Sequence, residues 1–161
     1  MKLNELFVPS YGTKLDLNKM TVVDNDDKDA VNFVSRTSKN LGVVAKVKRI
    51  PNKEPYPAGL ITVTLGGTYL LSSFVQPMPF YTAQNIIVLT PIMKMSFEEK
   101  IFYCMCIAEN RFKYVSHGRE ANRTLKLLDL PDKVPNFIKK DDFQKVSDNV
   151  INTALTFLDE V

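Results

Sequence analysis

His117 is the only histidine in this 161-residue chain, and Cys104 and Cys106 are its only cysteines. A nucleophilic triad needs a nucleophile, a base and an orienting group, and no G-x-S-x-G elbow supplies the first. A zinc centre wants more ligands than one histidine and two thiols. The two cysteines are two positions apart on a predicted helix, so their side chains do not face each other. They read as reduced, buried thiols rather than as a disulfide or a metal pair. Glu98-Glu99-Lys100 has the acid-x-lysine spacing of many metal-dependent nucleases, yet it falls in the first turn of a capped helix. No second carboxylate is placed by sequence to share a metal, so the carboxylates there read as helix-dipole chemistry. The acidic run from Asp24 fails as a calcium loop. Its third ligand position falls on Lys28, its sixth loop position on Asp29 instead of glycine, and its twelfth on Ser35 instead of glutamate. It reads as a solvated turn. Phosphate-cradling and dinucleotide glycine fingerprints are absent from the sequence. The residue types therefore predict no catalytic centre, no metal and no cofactor.

What the chain has instead is hydrogen-bonding capacity in one stretch, Gly59 to Pro91, GLITVTLGGTYLLSSFVQPMPFYTAQNIIVLTP. Leu60 to Leu65 is rich in β-branched residues and reads as a strand. Gly66-Gly67 breaks it. Ile86 to Leu89 is a short apolar run of a strongly buried strand, closed by Pro91. Between the two strands lie Thr68, Tyr69, Ser72, Ser73, Gln76, Tyr81, Thr82, Gln84 and Asn85. A polar loop held at both ends by core strands is either a plain hairpin connection or a place where a scaffold carries recognition.

Composition is ordinary for one globular domain, with 45% hydrophobic and 24% charged residues. No apolar run approaches the roughly 20 residues needed to cross a bilayer, and MKLNELFVPS lacks the apolar centre of a signal peptide. A cytoplasmic protein with no membrane partner is expected. The net charge of +3 is modest, but its distribution is uneven. Ser35 to Lys53 carries Arg36, Lys39, Lys46, Lys48, Arg49 and Lys53 with no acid, and Arg111 to Lys126 carries Arg111, Lys113, Arg119, Arg123 and Lys126 against Glu120 alone. Acid collects between Asp24 and Asp29 and after residue 140. The two basic stretches are either one polyanion footprint or two solvated faces.

In chain order, Lys2 to Phe7 leads through Pro9 and Gly12 to Tyr11-Gly12-Thr13-Lys14, an aromatic and a cation beside flexible backbone. Asp16 to Met20 predicts one helical turn, Val22-Val23 a strand start, Val31 to Val34 a strand, and Leu41 to Ile50 another with Val43, Ala45 and Val47 on one face. Ser96 and Glu99 form a capping box. Phe97, Ile101, Met105, Ala108 and Phe112 follow at helical spacing as the core face of a helix ending near Tyr114. Thr124 is positioned to cap the segment after it. Phe143, Val146, Val150, Ile151, Ala154, Phe157 and Leu158 mark an amphipathic C-terminal helix. Strands before residue 91 and helices after it predict an α+β fold, with a twisted, mainly antiparallel sheet and packed helices. The expected division is a domain over 1–140 and a C-terminal helix over 141–161 for dimerisation or docking.

Three segments, VNFVSRTSKN (31–40), the stretch 59–91 and HGREANRTLKLLDLP (117–131), resemble in order and spacing the target recognition domain of bacterial restriction–modification specificity subunits. The likeness is to the type I and type IIB-like variety and spans nearly the whole chain. It implies a non-catalytic DNA-reading domain that directs a methyltransferase, or a fused methyltransferase–nuclease, to part of a bipartite site. The sequence departs from the family in carrying one recognition domain instead of two, which reads either as a half-subunit that forms a homodimer through the C-terminal helix or as a fragment. It departs again at His117, where an aromatic residue is expected. Beside this resemblance, the loops hold the side chains that read DNA: Arg and Lys for phosphates and guanine, Asn and Gln for adenine, Ser and Thr for either. The candidate DNA contacts are Lys14, Arg36, Ser38, Lys39, Asn40, Thr68, Ser73, Gln76, Tyr81, Thr82, Gln84, Asn85, Arg119, Asn122 and Arg123. Of these, Arg36, Lys39, Arg119 and Arg123 are expected to converge on one face. The rival class is a protein-interaction module, an adaptor or inhibitor without a DNA role, that uses the C-terminal helix.

Overall fold

A computed structural model describes residues 1–115 and 124–139. The predicted C-terminal helix and His117, Arg119, Asn122 and Arg123 lie outside the described residues. The fold is α+β, as expected, but the strands divide into two sheets. The first has the order β1-β7-β4-β5, with β1 Phe7–Ser10, β4 Ile61–Thr64, β5 Ser73–Val75 and β7 Ile86–Pro91, all antiparallel. The second has the order β3-β2-β6, with β2 Ala30–Val34, β3 Val43–Lys48 and β6 Phe80–Thr82, and its β2–β6 pairing is parallel.

β7 is the centre of both packing layers because it is apolar on both faces. Ile87 and Leu89 join Ile61 and Val63 of β4 under the helices. Ile86 and Val88 point the other way and pack with Val34, Val43 and Phe80 of the second sheet. The far side of that sheet is covered by Leu15, Leu17, Met20 and Ile50, which pack on Val31, Phe33, Val47 and Tyr81. A continuous apolar run is the signature of a strand buried on both faces, and here it sandwiches β7 between a helical layer and a second sheet.

The stretch between β4 and β7 is not one polar loop. β5 and β6 lie within it and belong to different sheets. Gln76 to Pro79 carries the chain from one sheet to the other, and Pro77 and Pro79, which lack a backbone N–H, fit a crossing better than a ladder. Strands of three residues are too short to show a period, which is why the pattern concealed them.

Helix α2 spans Phe97–Glu109 and begins with the expected capping box: Ser96 Oγ accepts from Glu99 N at 3.2 Å, and Glu99 Oε2 accepts from Ser96 N at 2.8 Å. It stops short of Tyr114. Asn110 Nδ2 donates to the Cys106 carbonyl at 2.7 Å, taking an acceptor of the last turn, and a separate short helix α3 follows at Phe112–Val115. The core face also differs from the predicted stripe. Phe97 and Ile101 pack as expected, but Met105 and Phe112 are exposed, and Tyr103, Cys104 and Ile107 are buried instead. Tyr103 decides the rotation: its ring meets Phe7 edge-on at 5.6 Å, and its hydroxyl donates to the Pro131 carbonyl at 3.0 Å. Thr124 precedes the 3-10 turn Leu125–Leu127 without a side-chain cap; its hydroxyl bonds Tyr114 Oη at 3.1 Å. Among the described residues no helix is long and apolar enough to cross a membrane.

Candidate functional site

Strand direction brings four loops to the Ile86 end of β7. β1 is antiparallel to β7 with Ser10 opposite Val88, so Tyr11–Lys14 leaves at that end. Thr64 pairs with Ile86, so the β4–β5 connection turns there, and Leu65 N donates to the Asn85 carbonyl at 2.9 Å. β2 and β6 are parallel, so the loops after Val34 and after Thr82 also emerge together; Ala83 N donates to the Val34 carbonyl at 2.8 Å. The four loops cover residues 11–14, 35–42, 65–72 and 83–85, and none contains an acidic residue.

Backbone conformation separates this end from the rest of the chain. Gly12, Lys14, Asn40, Leu41, Gly42, Gly67, Leu71 and Asn85 all have positive φ; elsewhere among the described residues only Asn52 and Gly59 do. For a residue with a Cβ this region costs of order 1–2 kcal/mol, and such residues persist where the surroundings over-determine them, often at binding sites. The surroundings are visible. Thr13 N donates to Thr82 Oγ1 at 2.9 Å, while Thr13 Oγ1 accepts from Thr82 N at 2.7 Å and donates to the Thr82 carbonyl at 3.0 Å. Ser35 N donates to the Gly42 carbonyl and Gly42 N to the Lys39 carbonyl, each at 2.9 Å, closing the loop that follows β2.

On this end Lys14, Arg36, Ser38, Lys39, Thr68 and Gln84 are exposed, and Asn40 and Asn85 are partly so. Among the described residues Lys14, Arg36 and Lys39 form no ion pair. Lys14 Nζ lies 5.2 Å from the Tyr11 ring centroid, a cation–π contact that leaves both groups facing out. Arg111 is brought here by a bond from its guanidinium to the Thr68 carbonyl. Tyr11 and Arg111 were not among the candidate contacts, although both sit beside residues that were.

Four candidates are used by the fold. Gln76 is fully buried, with Nε2 donating to the Leu41 carbonyl at 2.7 Å and to Thr62 Oγ1 at 2.9 Å. Tyr81 is fully buried; its hydroxyl donates to the Lys53 carbonyl at 2.6 Å and accepts from Ile50 N at 3.1 Å. Thr82 is buried against Thr13, as above. Ser73 is half-buried, and its hydroxyl donates to the Leu71 carbonyl at 2.9 Å. In this conformation Gln76, Tyr81 and Thr82 present nothing to a partner because all three are buried. The Gln76 amide nitrogen, the Tyr81 hydroxyl and the Thr82 side chain bond within the chain, while Gln76 Oε1 is buried without a partner among the described residues.

Among the described residues the two basic stretches do not form one block. Arg36 and Lys39 stand at the loop end, while Lys48 lies at the opposite end of β3, paired with Ala30, and Arg49 lies 3.9 Å from Glu54. Lys126 sits in the turn that packs on helix α1 (Leu3–Leu6), again away from the loops. The loop end is basic because it lacks acid, more than because cations crowd there.

At the Pro91 end of β7 the surface is different. A groove of about 480 Å³ is lined by Met1, Leu6, Ile92, Met93, Met95 and Val134, with Glu5, Lys94, Glu99, Asp132 and Lys133 among its charged residues. Met1, Ile92 and Met93 are more than half exposed, Met93 at 77%. Among the described residues no group of three metal-ligating side chains occurs. Burial pushes the Cys104 and Cys106 thiols up, with Glu109 adding to the effect at Cys106, so both stay protonated at neutral pH.

No family model matches the chain, and no curated protein matches it in sequence. Its fold, however, is shared with solved structures. The S subunit of a type I restriction-modification system from M. genitalium superposes with a TM-score of 0.62 at 16% identity, over 99% of this chain and 39% of that one. The HsdS subunit from Thermoanaerobacter tengcongensis gives 0.58 at 11% identity, over 97% and 37%. A chain from a study of complex assembly and conformational transition in the type I R-M system gives 0.64 at 11% identity, over 99% and 41%. This chain thus spans about two fifths of the length of these structures, and at such identities it is the fold that is shared.

Proposed function

We propose that this chain is a DNA-reading specificity module of the restriction–modification kind, itself non-catalytic, which directs a separate methyltransferase or fused methyltransferase–nuclease to its target. The observation that carries this reading is the convergence of four acid-free loops, with most of the left-handed backbone of the described chain, at one end of a fold shared with type I S subunits. A polyanion is favoured by cations without competing carboxylates. Sequence is read by side chains held at fixed positions on a rigid scaffold. Lys14, Arg36 and Lys39 supply phosphate or guanine contacts, and Ser38, Asn40, Thr68, Gln84 and Asn85 supply base-edge or sugar contacts. Arg119, Asn122 and Arg123 remain proposed contacts from sequence. The apolar groove at the Pro91 end leaves the opposite side of the domain for a protein partner, which a non-catalytic reader requires.

The test is binding to duplex DNA by the chain together with its methyltransferase, measured as a function of salt. A reader that neutralises phosphates loses affinity linearly on a logarithmic salt scale. Affinity independent of salt, or methylation whose sites do not change when this chain is exchanged for another specificity chain, would refute the proposal and favour an adaptor or inhibitor.

A further inference from the structure

Gln76 joins two parts of the molecule that the sequence keeps far apart. It follows edge strand β5, and its side chain reaches the Leu41 carbonyl, 35 residues away, at 2.7 Å. Leu41 is the middle of three consecutive residues with positive φ: Asn40 at 51°, Leu41 at 57° and Gly42 at 80°. Leucine is poorly suited to that region, so the turn needs a partner that rewards it. The reversal it makes closes the loop on itself. Gly42 returns to Ser35 through a bond of 2.9 Å, and a Cβ at Gly42 would lie 3.2 Å from Val34 Cγ1. Thr37 and Lys39 are tied within the same loop, through Thr37 N to the Ser35 carbonyl and Lys39 N to Thr37 Oγ1. Arg36, Ser38 and Lys39 project from this closed ring. Only one tie from a side chain outside the loop holds its strained corner among the described bonds, and its donor, Gln76, is fully buried.

We propose that Gln76 is a positioning residue for DNA recognition: its amide fixes the left-handed corner at Leu41 and so sets the arrangement in which Arg36, Ser38 and Lys39 meet a duplex. This rests on the DNA reading given above. The advantage is preorganisation, since a loop already held in its bound shape loses less entropy on binding. Gln76 is the buried residue of the crossing between the two sheets, so part of the loop's shape is set from the core, beside the loop's own ties through Thr37 and Gly42. The side chains of Arg36, Ser38 and Lys39 can then vary without loss of that frame.

Amide hydrogen exchange on the full-length chain reads the hold directly. In the wild type the amides of Ser35, Thr37, Lys39 and Gly42 should exchange slowly for an exposed loop. Gln76→Met keeps the volume and removes the donor; it should speed those four amides about tenfold, the effect of one hydrogen bond, with β4 and β7 unchanged. Thr62→Val removes the other acceptor of the same amide and should leave the loop protected. Binding to a mixed-sequence duplex should weaken about threefold to tenfold in Gln76→Met with the salt slope kept, because every cation is still present. Arg36→Ala should instead lower the slope by about one. The Gln76→Met loss should vanish in an Arg36→Ala/Lys39→Ala background, as expected for a residue acting through that loop. Unprotected loop amides in the wild type overturn the proposal even if Gln76→Met does not fold. So do unchanged exchange rates in the variant, or a binding loss that persists in the double-variant background. If Arg36→Ala and Lys39→Ala leave binding untouched while loop exchange quickens in Gln76→Met, the DNA role of the loop falls and the structural hold stands.

Discussion

The two ends of β7 are built on opposite principles. At the Pro91 end the chain is tied to itself across its greatest separations. Leu3 N donates to the Leu128 carbonyl at 2.9 Å, Leu130 N to the Met1 carbonyl at 2.8 Å, and Lys2 Nζ sits 2.7 Å from Asp129 Oδ1. That hydrogen bond and the Lys2 charge hold the Asp129 carboxyl below the usual carboxylate range. The one described positive-φ residue beside β4 at that end is Gly59, which has no Cβ to strain. At the Ile86 end, six strand residues away, the loops are short, polar and strained, and ties such as Thr13–Thr82 and Gln76–Leu41 hold them in place. Separating the two lets the loop end spend backbone energy on shape while the other end and the β7 core supply stability.

The sharpest way to break this comparison is to remove apolar volume from the shared strand. Leu89 is fully buried between β7 and the helices, so Leu89→Ala should cost about 2–5 kcal/mol in urea unfolding. A smaller loss would mean that β7 is not the core of the domain. Gly12→Ala should come next. Gly12 has φ +68°, and an added Cβ would strike Thr82 Oγ1 and lie 2.9 Å from the Ile86 carbonyl. Left-handed strain and the clash together predict a loss of about 2 kcal/mol or more. A neutral result would show that the loop end can relax and is not over-determined.

Sequence disclosed the parts of this design that have a period or a punctuation mark. The Ser96–Glu99 cap, the double-sided apolar run of β7 and the turn at Asp16, whose carboxylate accepts from Asn18 N at 3.0 Å, are local signals with local causes. The halves of α2 show where local signals end. Phe97 and Ile101 lie on the face the spacing indicated, but a Tyr103 hydroxyl with a distant carbonyl partner rotated the rest. Gln76, Tyr81 and Thr82 misled for a related reason. A polar residue in a polar stretch reads as surface, and only the crossing between two sheets, invisible in strands of three residues, turns those side chains inward. The loop face was partly legible: Arg36 and Lys39 stood out by the absence of acid, whereas Arg111 joined them through a backbone contact that no spacing encodes.

Asn85 tests the strain more gently. Its φ is 58°, and its carbonyl accepts from Leu65. Asparagine tolerates this region better than alanine, and glycine enters it freely. Asn85→Ala should therefore lose about 1 kcal/mol, while Asn85→Gly should stay within about 0.5 kcal/mol of wild type, since relief of strain offsets added chain entropy. Equal losses in both variants would point to a side-chain role and not to backbone conformation.

The smallest effects on stability are expected at the exposed cations, and there the comparison becomes functional. Lys14, Arg36 and Lys39 pair with no acid among the described residues, so the Arg36→Ala and Lys39→Ala variants should each unfold within about 0.5 kcal/mol of wild type. Lys14→Ala also gives up the Tyr11 contact, worth about 0.5–1 kcal/mol at an exposed site, and should be the largest of the three. In DNA binding the ranking reverses. A phosphate contact removed at any of the three should weaken all sequences alike and reduce the salt slope by about one, whereas an arginine forked onto guanine should cost about 1–3 kcal/mol and relax a single base pair. Lys126→Ala, on the turn beside α1, is the matched control of like charge at the other end. It should leave both affinity and slope as they were. If Lys126→Ala lowers the slope as much as Arg36→Ala does, the charge of the domain acts as a diffuse field, and the loop end is not the face that meets the duplex.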